Sequence, residues 1–345
     1  MEEILRLQKK IIPELIDLLE KRYTILRTIY YNQPIGRRIL ANDLKIGERI
    51  VRTEINFLKN QNLIDIGVSG MVLTSEGEVV IVKLKDFIHE IRGLSHTEEY
   101  IKTQLGLREV IVVPGNIDED ITVLSEIGRA AANYIKGIIK DNDIISLTGG
   151  TTIREVVDNM PRLLNCKNSL VVPARGGIGR NVEIQANTLA ANLAKKIGGS
   201  YKLLHVPDNI SRDTLEIILK EKDIIDVMES IHNANILIYG IGRADEMGRR
   251  RRLSEEDLAL MGAQGVVAEA FGYYFDRNGE IVNTRPTIGI NAEDAKKIDT
   301  LIAVAAGKNK AEAIVAIKIN NQRSVLITDE SAAKEMVNIL KQKSL

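Results

Sequence analysis

From Ser146 to Val157 the chain reads SLTGGTTIREVV. An apolar run, Asp143 to Leu147, meets Gly149 and Gly150; two threonines follow and a helical pattern starts at once. Glycines lack a Cβ, so their backbone N–H groups can approach an anion closely. Thr151 and Thr152 add hydroxyl donors, and a helix starting there presents its positive end. In open α/β sheets, ligands sit beyond the carboxyl ends of the strands, which is where this turn falls. The chemistry suits a phosphate monoester. It does not suit a nucleotide loop: G-x-x-x-x-G-K-[ST] is missing, and the two G-x-G-x-x-G candidates fail at their last position, Gly177-Ile-Gly179 reaching Val182 and Gly240-Ile-Gly242 reaching Asp245. The competing reading is a turn that only packs strand against helix.

Other apolar runs end in groups of matching character. Arg175 follows VVPA and has the fork that grips phosphate. Arg249 to Arg252 are expected in the loop after YGIG, with Arg250 taken as the one facing the site, and the competing reading is a solvated basic loop. Lys308 and Lys310 follow TLIAVAAG at a helix start, where a lysine opposes the helix dipole unless an anion is present. Gln185 and Glu269 lie among apolar residues, as structural groups or as partners for sugar hydroxyls. Several cationic or hydroxyl groups at separate strand ends imply a ligand with more than one phosphate, provided that they converge in space.

Two sets of elements must position these residues. From residue 109 onward, EVIVVPG, DIISLTGG, SLVVPARGG, YKLLHVP, NILIYGIG, TLIAVAAG and SVLITDE are apolar runs ending in turn residues, and helical stretches such as 118–140, 181–197 and 329–342 separate most of them. That alternation predicts a doubly wound, mostly parallel α/β sheet. The first quarter has another plan. TILRTIYY and GRRILANDL have helical spacing, and in KIGERIVRTEINFLKNQN the pattern turns Ile46, Ile50, Ile55 and Leu58 one way and Glu48, Arg49, Arg52, Thr53 and Asn56 the other. LIDIGVSGMVLT then reads as a short hairpin. Three helices and a hairpin make a winged helix-turn-helix, whose third helix enters the major groove; a plain bundle or dimerisation module is the competing reading. Residues 21–60 carry nine Lys/Arg (Lys21, Arg22, Arg27, Arg37, Arg38, Lys45, Arg49, Arg52, Lys59) against Asp43, Glu48 and Glu54, the electrostatic footprint of a phosphate-backbone binder. The expected DNA contacts are Arg37, Arg38, Arg49, Arg52, Thr53 and Asn56. The expected domains are 1–90, with a helical connector, and 91–345.

Composition sets the limits. The 345 residues suffice for about two domains. Hydrophobic content of 44% with 27% charged residues reads as globular. No apolar run approaches the ~20 residues of a membrane span, and the mixed charges of residues 1–20 do not read as a secretory leader. A single cysteine, Cys166, permits no internal disulfide and suits the cytoplasm. His89, His96, His205 and His232 are scattered, so no metal site and no catalytic histidine are expected.

Taken together, LREVIVVPG, SLTGGTTIREV, VVPARGGIGRNVEIQANTLAANLA, IYGIGRADEMGRRR and GKNKAEAI resemble the SorC family of bacterial sugar-responsive transcription regulators over nearly the whole chain. The resemblance implies an N-terminal winged helix-turn-helix and a C-terminal effector domain similar to sugar-phosphate isomerases and glucosamine-6-phosphate deaminase but serving as a sensor. Within the family, the nearer resemblance implies fructose-1,6-bisphosphate as inducer, repression of an operon for the triose-phosphate part of glycolysis, and dimers assembling to tetramers on operator DNA. By motif it puts Gly149, Gly150, Thr151 and Thr152 on phosphate, Arg175, Arg250 and Lys310 on phosphate or hydroxyls, and Gln185 and Glu269 on sugar hydroxyls. No cofactor and no catalytic residue are implied. The alternative is a sugar-phosphate isomerase or deaminase with Glu269 as general base, which lacks an evident acid–base pair.

Overall fold

The computed structural model describes residues 10–163, 165–177, 181–207, 212–251, 253–284, 288–319 and 321–343. The chain forms two compact units, one ending at Ser95 and the other beginning at His96. In the first, α1 (Pro13–Asn32), α2 (Arg37–Asp43) and α3 (Glu48–Asn60) precede a hairpin of β1 (Ile64–Gly67) and β2 (Gly70–Leu73), followed by α4 (Ser75–Ile91). Ile25, Leu26 and Ile29 of α1 meet Leu40, Val51, Ile55, Leu58, Ile64 and Met71 in one core. The hairpin is antiparallel, and Ile35 exchanges both backbone hydrogen bonds with Met71 (3.1 and 2.8 Å), fastening the wing to the segment between α1 and α2.

Two sequence expectations change here. The inward stripe of α3 is Val51, Glu54, Ile55 and Leu58, at the i, i+3, i+4, i+7 spacing of one helix face; Ile50 lies outside it and is exposed. The basic patch is also smaller than the count implied. Arg27 is buried, while Lys21 and Arg22 reach from α1 to the Glu54 carboxylate at 2.6 and 2.9 Å. Burial raises the pKa of Glu54, but these two cations outweigh it and hold the carboxyl below its ordinary value.

Helix α5 (Leu94–Leu105) leads into β3 (Glu109–Val113), α6 (Thr122–Ile138), β4 (Ile144–Leu147), α7 (Thr151–Asn159), β5 (Leu170–Pro173), α8 (Ala186–Ile197), β6 (Ser200–Tyr201), α9 (Arg212–Ile218), α10 (Lys222–His232) and β7 (Ile236–Gly240). Next come β8 (Gly242–Arg243), α11 (Ala244–Arg250), α12 (Glu255–Ala263), β9 (Val266–Ala270), β10 (Tyr273–Asp276), β11 (Ile281–Thr284), α13 (Ala292–Lys297), β12 (Thr300–Val304), α14 (Ala311–Ala316), β13 (Ser324–Asp329) and α15 (Glu330–Lys343). Seven strands form one parallel sheet in the order β3-β13-β12-β7-β4-β5-β6. Strands β12 and β13 are buried at every residue, as a parallel strand covered on both faces must be. From β4 the chain steps outward to β5 and β6, then returns to β7 on the other side of β4 and steps outward again to β12 and β13. The order reverses between β4 and β7, and the turns leaving these neighbours diverge to open a crevice.

The mostly parallel α/β class holds, with three corrections. A second, antiparallel sheet, β11-β10-β9-β8, carries Glu269. The YKLLHVP run contributes only Tyr201 to a strand: Leu204 N–H bonds to the Asn187 side chain (2.9 Å) and the Val206 carbonyl accepts from Gly177, which draws the chain off the sheet edge. The arginine run is no loop, since Arg249 and Arg250 close helix α11; Arg252 lies outside the described residues. Among those residues no helix is long and apolar enough to cross a membrane.

Candidate functional site

The crevice between β4 and β7 opens into a cavity of about 320 Å³, within the range of small-molecule sites. All nine residues expected to hold an effector line it: Gly149, Gly150, Thr151, Thr152, Arg175, Gln185, Arg250, Glu269 and Lys310.

The glycine–threonine turn is fixed by its neighbours. The Thr148 hydroxyl accepts the Gly240 N–H at 3.2 Å, joining the ends of β4 and β7, and the Gly150 N–H donates to the Ile184 carbonyl at 2.9 Å. A Cβ on Gly149 would stand 2.5 Å from that carbonyl oxygen, and Gly150 has φ +124°, so neither position accepts a side chain without strain. Gly150 is the N-cap of α7 and has no side chain with which to cap it, so the first-turn N–H groups point toward the cavity with the helix dipole behind them. Gln185 likewise precedes α8 and makes no side-chain cap.

Opposite the turn stands a buried charge cluster. Glu269 Oε1 accepts from Arg175 Nη1 (2.9 Å), Arg251 Nη2 (2.7 Å) and the Gly272 N–H (2.7 Å). Burial would push this carboxyl up; Arg175, Arg251 and the hydrogen bonds instead hold it below the ordinary glutamate value. One oxygen with three donors is a fastener for two arginines. Arg251 also bonds the Tyr274 hydroxyl at 2.9 Å. The other arginines of the run diverge: Arg249 turns to Asp245 at 3.3 Å, and Arg250 faces the cavity.

Lys310 ends a 3₁₀ turn, Lys308–Lys310, held from below by the fully buried Asp329, whose carboxylate accepts the N–H groups of Gly307 (2.9 Å) and Ile117 (3.2 Å). Among the described residues no carboxylate lies within ion-pair distance of Lys310 or Arg250. Burial pushes the Lys310 ammonium below the ordinary lysine value and Arg250 adds to this, against the opposing pull of Glu246, Asp329 and Asp118. A partly buried ammonium with no carboxylate at ion-pair distance favours an anion that enters.

Sequence reasoning missed Glu246 and Phe271, and within the arginine run it gave Arg251 no role of its own. Phe271 lines the cavity at φ +42°, a backbone region bulky residues rarely adopt, held by the Glu269–Gly272 bond and by edge contact with Tyr239 (4.7 Å). The readable signal was Phe271-Gly272 between two β-rich runs, a hairpin turn.

In the first unit, Arg37 and Arg38 open α2 while Arg49, Arg52, Thr53 and Asn56 share the outer face of α3, all exposed. Glu48 sits 3.7 Å from Arg38, both highly exposed, a pair of little energetic weight. Val68 and Ser69 form the tip of the wing.

A helix-turn-helix unit with a wing, in one chain with an α/β unit whose cavity gathers anion-binding groups, defines a ligand-responsive transcription regulator. Residues 18–88 match the "CggR N-terminal DNA binding domain" and residues 89–338 the "Putative sugar-binding domain". The chain is 43% identical to the central glycolytic genes regulator of Priestia megaterium (98% of this chain, 99% of that one) and 41% identical to that of Bacillus subtilis (98% and 99%). Among solved structures, "the putative SorC family transcriptional regulator from Enterococcus faecalis" is 38% identical, with TM-score 0.65 over 70% of this chain and 99% of that one. The full-length sorbitol operon regulator of Klebsiella pneumoniae, 18% identical, shares the fold, with TM-score 0.64 over 92% of this chain and 99% of that one. The chain belongs to the SorC family of sugar-responsive transcription regulators, in the branch of the central glycolytic genes regulators. It joins a DNA-binding domain to a sugar-binding domain in one regulator.

Proposed function

We propose that this regulator is a cytoplasmic repressor of an operon for the triose-phosphate part of glycolysis, released from its operator by fructose-1,6-bisphosphate. The observation that carries the effector is the presence of two anion-seeking groups in one cavity: the α7 terminus at Gly149–Thr152, and Lys310 with Arg250, neither of which has a carboxylate within ion-pair distance among the described residues. A monophosphate satisfies one of them. Arg175 would serve the phosphate at the glycine turn, held in place by Glu269, while Gln185 and the free oxygen of Glu269 would meet sugar hydroxyls. Arg37, Arg38, Arg49 and Arg52 would neutralise DNA phosphates, with Thr53 and Asn56 at base edges. The domains would divide near residue 90. Dimers would pair into tetramers on tandem half-sites, where linkage multiplies affinity, so a modest loss of dimer–dimer contact empties the operator. The bisphosphate must bind the released arrangement more tightly than the DNA-bound one.

The test is thermal unfolding of the intact protein with fructose-1,6-bisphosphate, fructose-6-phosphate, glucose-6-phosphate and inorganic phosphate at equal concentration, with operator release measured in parallel. A ligand that binds the folded form raises the midpoint, and the bisphosphate should raise it most. Arg175→Ala should keep operator binding and blunt release. An unchanged sugar response in that variant, or a monophosphate matching the bisphosphate, refutes this assignment.

A further inference from the structure

Ile50 breaks the pattern of its own helix. It is the third residue of α3 and remains 48% exposed, on the flank between the inward stripe and the arginine-bearing face, one turn before Thr53. It stands outside the inward stripe, which Val51, Ile55 and Leu58 fill at no more than 1% exposure each. A β-branched side chain is also a poorer helix former than a lysine or glutamate would be there. A local rule broken without gain to the folded state is expected at functional positions.

Thr53 lies one turn further on. Its hydroxyl donates to the Arg49 carbonyl at 3.1 Å, so its proton is used within the helix and the side chain is left with its methyl and an acceptor oxygen. Ile50 and Thr53 together present a small apolar strip in the first two turns of α3. The same two helices carry four exposed arginines: Arg49 and Arg52 on α3, Arg37 and Arg38 on α2. The arginines match a duplex in charge, and the N-terminal turns of a recognition helix reach base edges. In the major groove the apolar group on those edges is the thymine 5-methyl.

We propose that Ile50, backed by the Thr53 methyl, is a specificity-determining residue that reads a thymine 5-methyl group in the operator. The inference rests on the repressor reading above, and the experiment separates the two. The intact protein first selects a preferred duplex from a random-sequence pool. Each dT of that duplex is then replaced in turn by dU, which keeps the base pair and removes the methyl alone.

At one or more positions per half-site the unaltered protein should bind about three- to fivefold more weakly, the effect of one methyl leaving an apolar contact. Ile50→Ala should lose that sensitivity at the same position. Ile50→Val should keep most of it. Arg52→Ala should bind more weakly throughout yet retain the full ratio between dT and dU. A selected duplex with no methyl-sensitive position overturns the proposal without any variant, and so does an unchanged sensitivity in Ile50→Ala. Recovery of no preferred duplex at all would overturn the repressor reading itself.

Discussion

Replacing Glu269 by glutamine removes one charge and leaves the shape almost unchanged. Glu269 is the common acceptor of Arg175, Arg251 and the Gly272 N–H, and the three side chains are 5%, 5% and 7% exposed for Glu269, Arg175 and Arg251 respectively. At that depth water screens little, so the discount applied to surface ion pairs does not apply. Removing one partner of a buried pair costs about 3–5 kcal/mol, because the charge left behind is neither hydrated nor compensated. In a unit of about 250 residues, ~1 kcal/mol moves the midpoint of unfolding by roughly 2–4 °C. Glu269→Gln should therefore lower the transition of the effector unit by about 6–20 °C, followed by circular dichroism or calorimetry on the intact chain. A second effect follows from the same charge. A phosphate entering beside Arg175 restores part of the missing counter-charge, so saturating fructose-1,6-bisphosphate should raise the variant's midpoint by more than it raises that of the unaltered protein. A drop of less than about 2 °C without ligand would refute the idea that this carboxylate neutralises the two arginines. Equal ligand shifts in the two proteins would refute the placement of phosphate beside them.

Gly149→Ala should fold but respond to effector more than about tenfold less well, since its Cβ would meet the Ile184 carbonyl oxygen at 2.5 Å and the turn must move; operator release against ligand concentration checks this. Effector affinity should depend on Lys310 protonation. Burial sets its free-state pKa below the ordinary lysine value, and a bound phosphate raises it. The Lys310 contribution is thus complete below the free-state pKa and is lost as pH rises through it toward the bound-state value. Calorimetric titrations should show that alkaline fall in the unaltered protein and not in Lys310→Gln, whose affinity should be lower at neutral pH. Arg52→Ala should weaken operator binding and reduce the slope of log affinity against log salt by about 1, because one phosphate contact and its released counterion are lost. An unchanged slope would move Arg52 off the backbone.

The sequence alone determined the elements and the kinds of group at their ends. Alternating apolar runs and helical stretches specify a parallel sheet because strands covered on both faces must be apolar throughout, and Gly149-Gly150-Thr151-Thr152 marks a tight strand-to-helix turn of residue types suited to an anion. The winged unit was readable for a similar reason: the short helices and the hairpin each follow from local periodicity. What local pattern could not decide was partnership. Glu269 and Arg175 are 94 residues apart, and only the antiparallel sheet, set against the β4–β7 crevice, brings them to 2.9 Å. Lys310 reads as a lysine at a helix start, and only packing lowers its pKa by burial. Arg27 counts as surface charge until α1 turns it inward, and Ile50 counts as core until Val51 takes that place. Periodicity tells which residues share a face, whereas burial and counter-charge depend on which distant segment closes over that face, and that is a property of the tertiary structure.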